Sequence, residues 1–242
     1  MTFRDDLDKS VKDLINTPFN IRTARVVPTT DSVGPNDYVS LFDTVYLYTD
    51  MADSSSLAHR FDVESGARVL RVFLNVVCRV IRDRGGEIRS FDGDRVMGIF
   101  LGEDAANKAA DAALRITWAV SVLAHDALLD LDSYRKEYYE NDWKLRHRTG
   151  IDIGFARVVR GGVRSHSDLV SIGQPPNIAA KLSDYKGGGT TIITDTVYDK
   201  LSYSNSYSDS DGVSRSMWVH VGWTQIGSQY EDLYTSTWRR SY

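Results

Sequence analysis

Asp50 and Asp94 are the two side chains whose type and placement point first to chemistry. Asp50 closes a β-branched and aromatic run, residues 39–48, just before the helix-start pattern Asp53-Ser54. Asp94 follows Asp92-Gly93, a dipeptide typical of tight hairpins, and opens the second hairpin strand. If the strands are neighbours, both carboxylates face one edge of a sheet. Hard divalent cations take oxygen ligands and bridge carboxylates to phosphate oxygens. Two such ions about 4 Å apart form the clamp of many phosphoryl-transfer enzymes. Aspartates also cap helices and serve turns, so spacing alone leaves that structural reading open beside the catalytic one.

The elements that must position this pair show in the pattern around it. Residues 63–84 read as a helix with Val69, Phe73, Val76, Val77, Val80 and Ile81 on one stripe, ended by Gly85-Gly86. Strands are expected at 87–91 and 95–100, then an alanine-rich helix over 104–129 and a helical end with a solvated loop over 130–147. A strand at 150–159 follows, and Pro175-Pro176 open a helix that carries Asn177, Ala179, Ala180 and Leu182. Residues 190–194 read as a strand, 195–201 as a short helix and 202–216 as a serine-rich loop. Two last strands fall near 218–226 and 231–238. Residues 1–36 read as an N-terminal helix (6–16) and a proline-broken linker, so the expected domain is 37–242. This order predicts an α+β fold with helices packed on a sheet.

Composition removes other classes. The 242 residues are 42% hydrophobic and 26% charged, ordinary values for a globular chain. One cysteine, Cys78, and five scattered histidines exclude disulfide staples and Cys-x-x-Cys zinc sites. A net charge of −4 argues against a general nucleic-acid binder. There is no run of about 18 apolar residues and no secretion signal, so no membrane association and a cytoplasmic location are expected.

Three segments carry a family resemblance. Tyr48-Thr49-Asp50-Met51-Ala52-Asp53-Ser54-Ser55-Ser56-Leu57 resembles the first metal motif of class III nucleotidyl cyclases. Gly93-Asp94-Arg95-Val96-Met97-Gly98-Ile99-Phe100 is similar to the second. Gly173-Gln174-Pro175-Pro176-Asn177-Ile178-Ala179-Ala180-Lys181-Leu182 is similar to the third. The three occur in family order and the likeness spans 38–238. It implies the class III catalytic domain, a ferredoxin-like βαββαβ core with a C-terminal β-hairpin. It also implies two divalent ions, manganese or magnesium, held by Asp50, Asp94 and the backbone carbonyl of Met51. By the same resemblance Asn177 orients the ribose, and Lys181 takes the place of an arginine at the α-phosphate. Such enzymes are homodimers whose sites are shared across the interface.

The departures bear on the base. Where family members that read purines carry a polar pair, this chain has Ser90 and Val170, and Tyr48 stands where phenylalanine is usual. Valine cannot hydrogen-bond an exocyclic amine, and base choice depends on such contacts. With Tyr48, the set resembles the pyrimidine cyclases of bacterial Pycsar antiphage systems. That likeness implies conversion of UTP to 3′,5′-cyclic UMP and diphosphate, the messenger acting on a separate effector protein. CTP as substrate, ATP as substrate, and a non-catalytic nucleotide-binding module are the alternatives. Alternation puts Arg89 on the face opposite Ser90, in a structural role. Lys200, Arg157, Arg160 and Arg164 are the candidate cations for the triphosphate tail.

Overall fold

Two periodicities build the molecule, a 3.6-residue apolar repeat in the helices and a two-residue alternation in the strands. The computed structural model describes residues 2–163, 166–210 and 212–242; Arg164 lies outside them. Thr2 and Asp5 form a reciprocal capping box that starts α1 (Phe3–Asn16), every residue of which is exposed. β1 (Asn20–Thr23) pairs in parallel with the start of β2 (Asp37–Met51). One helical turn, α2 (Leu57–Arg60), leads to α3 (Val63–Asp83), where the Asp62 carboxylate caps the helix by accepting from the Ser65 amide at 2.9 Å. β3 (Glu87–Asp92) and β4 (Arg95–Phe100) make a hairpin whose Gly93 sits at φ 62°. The alanine face of α4 (Ala105–Trp118) is buried, and the helix runs through a π-helical turn into α5 (His125–Leu128).

After α6 (Asp132–Asn141), the long strand β5 (His147–Val163) folds back as β6 (His166–Gly173), which passes straight into α7 (Gln174–Asp184). The chain then forms β7 (Thr191–Thr194), α8 (Asp195–Tyr198), α9 (Tyr203–Ser206) and a small hairpin of β8 (Tyr207–Ser210) with β9 (Val213–Ser216). It ends in the hairpin of β10 (Val219–Ile226) and β11 (Gln229–Ser236). The main sheet runs β10-β11-β7-β5-β2-β4-β3, with β1 on β2 and β6 on β5. Its β5-β2-β4-β3 part is the expected ferredoxin-like arrangement, in an α+β fold.

One face of this sheet makes the main core. Val45, Leu47, Val96, Phe100 and Ile151 pack there against α3 and α4. The other face carries Tyr46, Tyr48, Met97 and Ile99, which pack with Ala179 of α7. α7 lies close on β5 because Gly150 has no side chain; a Cβ there would stand 2.2 Å from the carbonyl oxygen of Ala179.

Four segments differ from expectation. The 17–36 linker belongs largely to the domain: β1 joins the sheet and Val33 is buried with Val39 and Leu41, leaving only α1 apart. The 130–147 stretch is not a solvated loop, since Tyr134, Trp143 and Leu145 are core residues. The Tyr134 hydroxyl shares a hydrogen bond with His125 Nδ1 at 2.9 Å while accepting from the Leu145 amide at 3.0 Å. β6 fills a stretch where no strand is expected, and the serine-rich loop contains the β8–β9 hairpin.

Asp152, beside Tyr46 on the α7 side, gives a stability prediction. It is 7% exposed and accepts from the Thr194 hydroxyl at 2.7 Å, and burial pushes its carboxyl up to about 6. Its folded value exceeds the unfolded one, so the native state binds the proton more tightly and stability declines as pH rises from about 4 to about 6. Two units correspond to about 3 kcal/mol. Asp152→Asn keeps an acceptor for Thr194 without the charge. It should raise the melting temperature at pH 7.5 and change it little at pH 4, as thermal unfolding at the two pH values would read out.

Candidate active site

β2 runs three residues past the expected strand end at Tyr48, so that Asp50 is still paired, opposite Arg148 of β5. Asp94 sits in the turn between β3 and β4, and β4 is the neighbour of β2 on its other side. The two carboxylates interact. Burial and then the Asp94 charge push the Asp50 carboxyl up to about 6, against the pull of Arg95. Arg95 bridges Asp50, at 3.5 Å, and Asp184 at the end of α7. One Asp94 oxygen, Oδ2, is enclosed and has no hydrogen-bond partner among the described residues. An enclosed acceptor without a donor, beside a second carboxylate of raised proton affinity, suits a cation. No trio of His, Cys, Asp and Glu is clustered among the described residues. The pair therefore leaves coordination positions for backbone and substrate oxygens. The Met51 side chain is 2% exposed in the main core, which leaves only its backbone for the site.

The base-facing residues divide. Tyr48, Met97 and Ser90 stand in register across β2, β4 and β3, so Tyr48 and Ser90 share the α7 side of the sheet. Burial pushes the Tyr48 phenol up to about 12. Val170 does not join them. Its register partner is Val159 and it is 48% exposed, while the flanking Leu169 packs inward on Val39, Leu41 and Val158. Because neighbours on a strand point to opposite faces, Ser171 rather than Val170 turns inward, where it lies beside Tyr46. Arg89 also departs from expectation. A bulge between Ile88 and Ser90 breaks the alternation of β3, so Arg89 and Ser90 both reach the α7 side.

Asn177 and Lys181 lie on the outward stripe of α7, four residues apart, while Ile178, Ala179 and Leu182 are buried beneath. Helix geometry puts Asn177 about 10 Å along the axis from Asp184, the residue tied to Arg95. Within one chain, then, Asn177 and the carboxylate pair stay apart. Lys181 passes over the β10–β11 turn, where Gly227 has φ 66° and a Cβ would come 2.2 Å from Nζ. Gln174 holds the same turn by donating to Gln229 at 3.0 Å. Gly227→Ala should therefore displace the lysine head at a stability cost of only about 1 kcal/mol for the strained φ. The expected loss is roughly tenfold in turnover, measured beside a melting curve that separates the two effects.

A further cation emerges from register alone. Arg148, opposite Asp50, has no carboxylate partner among the described residues. It opens into a cavity of about 670 Å³ that also carries Lys144, Arg146, Lys186 and Arg239. Of the cations expected for a triphosphate, Arg164 is outside the described residues and the other three lie elsewhere. Arg157 stacks on Tyr38 and Phe155, and Arg160 donates to Ser167 at 3.0 Å. Lys200 lines a separate cavity with Phe42 and Asp43. Neither the β2–β5 register nor the end of β2 could be read from composition, so nothing in the sequence singled out Arg148.

This sheet, with α3 and α4 on one face and α7 on the other, has the fold of class III nucleotidyl cyclases. The crystal structure of the adenylyl cyclase CyaB from P. aeruginosa superposes with a TM-score of 0.59 at 20% identity, covering 83% of this chain and 97% of that one. No family model matches the sequence. A uridylate cyclase of Rhodovulum sp. (strain MB263) is 35% identical over 241 residues, 99% of this chain and 98% of that protein. One of Burkholderia cepacia is 33% identical over 99% of both. The chain belongs to the uridylate cyclase family.

Proposed function

We propose that this chain converts UTP to 3′,5′-cyclic UMP and diphosphate. The observation that carries the reading is the Asp50–Asp94 pair, with its orphaned Asp94 oxygen, in a chain 35% identical to a uridylate cyclase over nearly its whole length. In this reading Asp50, Asp94 and the Met51 carbonyl hold two divalent ions, manganese or magnesium. Bound there, the ions supply charge that acidifies the ribose 3′-hydroxyl and offsets the phosphates. Asn177 of the partner subunit orients the ribose, and Lys181 of the partner subunit sets a positive charge beside the α-phosphate. The separation of α7's outward stripe from the carboxylates within one chain supports this shared, homodimeric arrangement. Arg148 and the basic cavity beyond it face the β- and γ-phosphates. The 3′-hydroxyl gives up its proton to solvent, its oxygen attacks the α-phosphorus in line, the bond from that phosphorus to the oxygen bridging to the β-phosphate breaks, and diphosphate departs.

Tyr48 and Ser90 stand on one face and support a pyrimidine-sized pocket, without Val170, which faces away. No single helix among the described residues is long and apolar enough to cross a membrane, in keeping with a cytoplasmic enzyme. The likeness to Pycsar cyclases supports a role in antiphage defence through a separate effector, with no nucleic acid among the partners. The test is incubation with each of the four nucleoside triphosphates and manganese, with products separated by chromatography. UTP should exceed ATP at least tenfold in kcat/KM, or about 1.4 kcal/mol at the transition state. Equal turnover of the two would overturn the pyrimidine reading and leave the cyclase reading standing.

A further inference from the structure

The bulge in β3 brings an arginine into a place where nothing in its own chain uses it fully. The Arg89 side chain is 13% exposed on the α7 face of the sheet. Its Nη2 donates to Asp168 Oδ1 of β6 at 3.2 Å, and this is its one hydrogen bond among the described residues. A guanidinium has five donors in a planar fork, so most of its capacity is open. Next to it stands Tyr46, which is fully buried and whose hydroxyl is enclosed. Ser171 lies beside the same hydroxyl, from β6. The underused guanidinium beside this pair of hydroxyls leaves hydrogen-bonding capacity open to a ligand. They suit a planar ligand edge that offers both an acceptor and a donor.

The location narrows the ligand. β6 carries Asp168 and Ser171 and runs through Gly173 directly into α7, which presents Asn177 outward. Asn177 and the two β6 members of the Arg89 cluster, Asp168 and Ser171, therefore come from one continuous segment of one chain. The open edge of a base attached to that ribose is what the cluster can meet. Uracil offers a carbonyl, O4, beside an N3–H. Cytosine offers an amine in place of O4 and an unprotonated N3. A guanidinium only donates, so it pairs with the uracil carbonyl and meets a second donor in cytosine. A hydroxyl can accept the N3–H of uracil. Building on the pyrimidine cyclase reading, we infer that Arg89 is the residue that separates UTP from CTP, donating to O4 of the base while Tyr46 and Ser171 face N3. Asp168 acts as a positioning residue that holds the fork in place.

The competing role for Arg89 is purely mechanical, a tie between β3 and β6. Base choice distinguishes the two. kcat/KM for UTP and for CTP should be measured with manganese for the full-length protein and for Arg89→Gln, Arg89→Lys and Asp168→Asn. Glutamine can turn either end of its amide to the base, so Arg89→Gln should lower the UTP-to-CTP ratio at least tenfold while CTP turnover stays within about threefold. Arg89→Lys keeps the charge and the tie to Asp168 but loses the fork, and should lower the ratio by a smaller factor. Asp168→Asn should move it in the same direction. If the Gln variant does not fold, the Lys variant decides the question. A ratio that stays fixed while both substrates fall together, or while neither changes, would overturn the assignment of Arg89 and leave the cyclase reading intact. Wild-type protein that turns over no UTP in the same assay would remove both.

Discussion

Asp94→Asn should abolish cyclic nucleotide formation, with a loss of roughly 10³-fold or more, while leaving the melting temperature unchanged or slightly higher. The expectation follows from where the carboxylate sits. Asp94 occupies a turn, not the core, and its buried Oδ2 makes no hydrogen bond among the described residues that the protein would lose. The substitution removes a negative charge that raises the proton affinity of Asp50, so the empty protein gains from it. The loss falls on the ligand set instead: an amide is a weaker, neutral donor for a hard dication, and phosphoryl transfer without the second cation loses the charge that offsets its transition state. Asp50→Asn should behave alike. The pair also fixes a pH dependence. Asp50 is half protonated near pH 6, so manganese affinity should fall steeply below that value, about tenfold per unit at the limit, as a proton takes the cation's place. Titration of manganese against activity and against binding, for wild type and both variants, reads all of this. Wild-type rates in either variant would show that the two aspartates serve only as strand-end and turn residues.

The parts of this molecule legible in the sequence are those where local chemistry and global fold agree. α3 was readable because Val69, Phe73, Val77, Val80 and Ile81 repeat at helical spacing and all five are buried. The β3–β4 turn was readable because Asp92-Gly93 supplies the positive φ that a tight hairpin needs. The face of each side chain on a strand is different in kind. It depends on register, and one extra residue reverses it. Simple alternation puts Arg89 outward, and the bulge at that position returns it inward. The family resemblance puts Val170 in the base pocket, but its pairing with Val159 turns it outward and hands the inward position to Ser171. β6 escapes pattern reading since half of its residues 166–173 are exposed and they show no apolar alternation, so only the partner strand reveals it. The tyrosine-rich segment 132–145 was misread for the opposite reason. Its charges mark the outer surface, while Tyr134, Trp143 and Leu145 reach back to pack with Phe61 in the core.

Mixing Asp50→Ala chains with Asn177→Ala chains, each inactive alone, should restore about a quarter of wild-type activity. In a twofold dimer every site takes its carboxylates from one subunit and its asparagine from the other. The heterodimer then concentrates both defects in one site and leaves the second complete. Random exchange makes about half of all dimers mixed, each with one working site of two, hence about a quarter overall. Neither substitution disturbs packing, since Asn177 is exposed and Asp50 stands at a strand end. The proposed sharing is consistent with the single-chain geometry. Lys181 and Asn177 point outward from α7, while the end of the same helix is tied by Asp184 and Arg95 to Asp50. Asn177 lies about 10 Å along the helix axis from that tied end, on a stripe exposed toward a second copy. Exchange should be checked by co-purification of two differently tagged chains. Mixed dimers that form and stay inactive would mean that each chain builds its site alone, and Asn177 would then need another role.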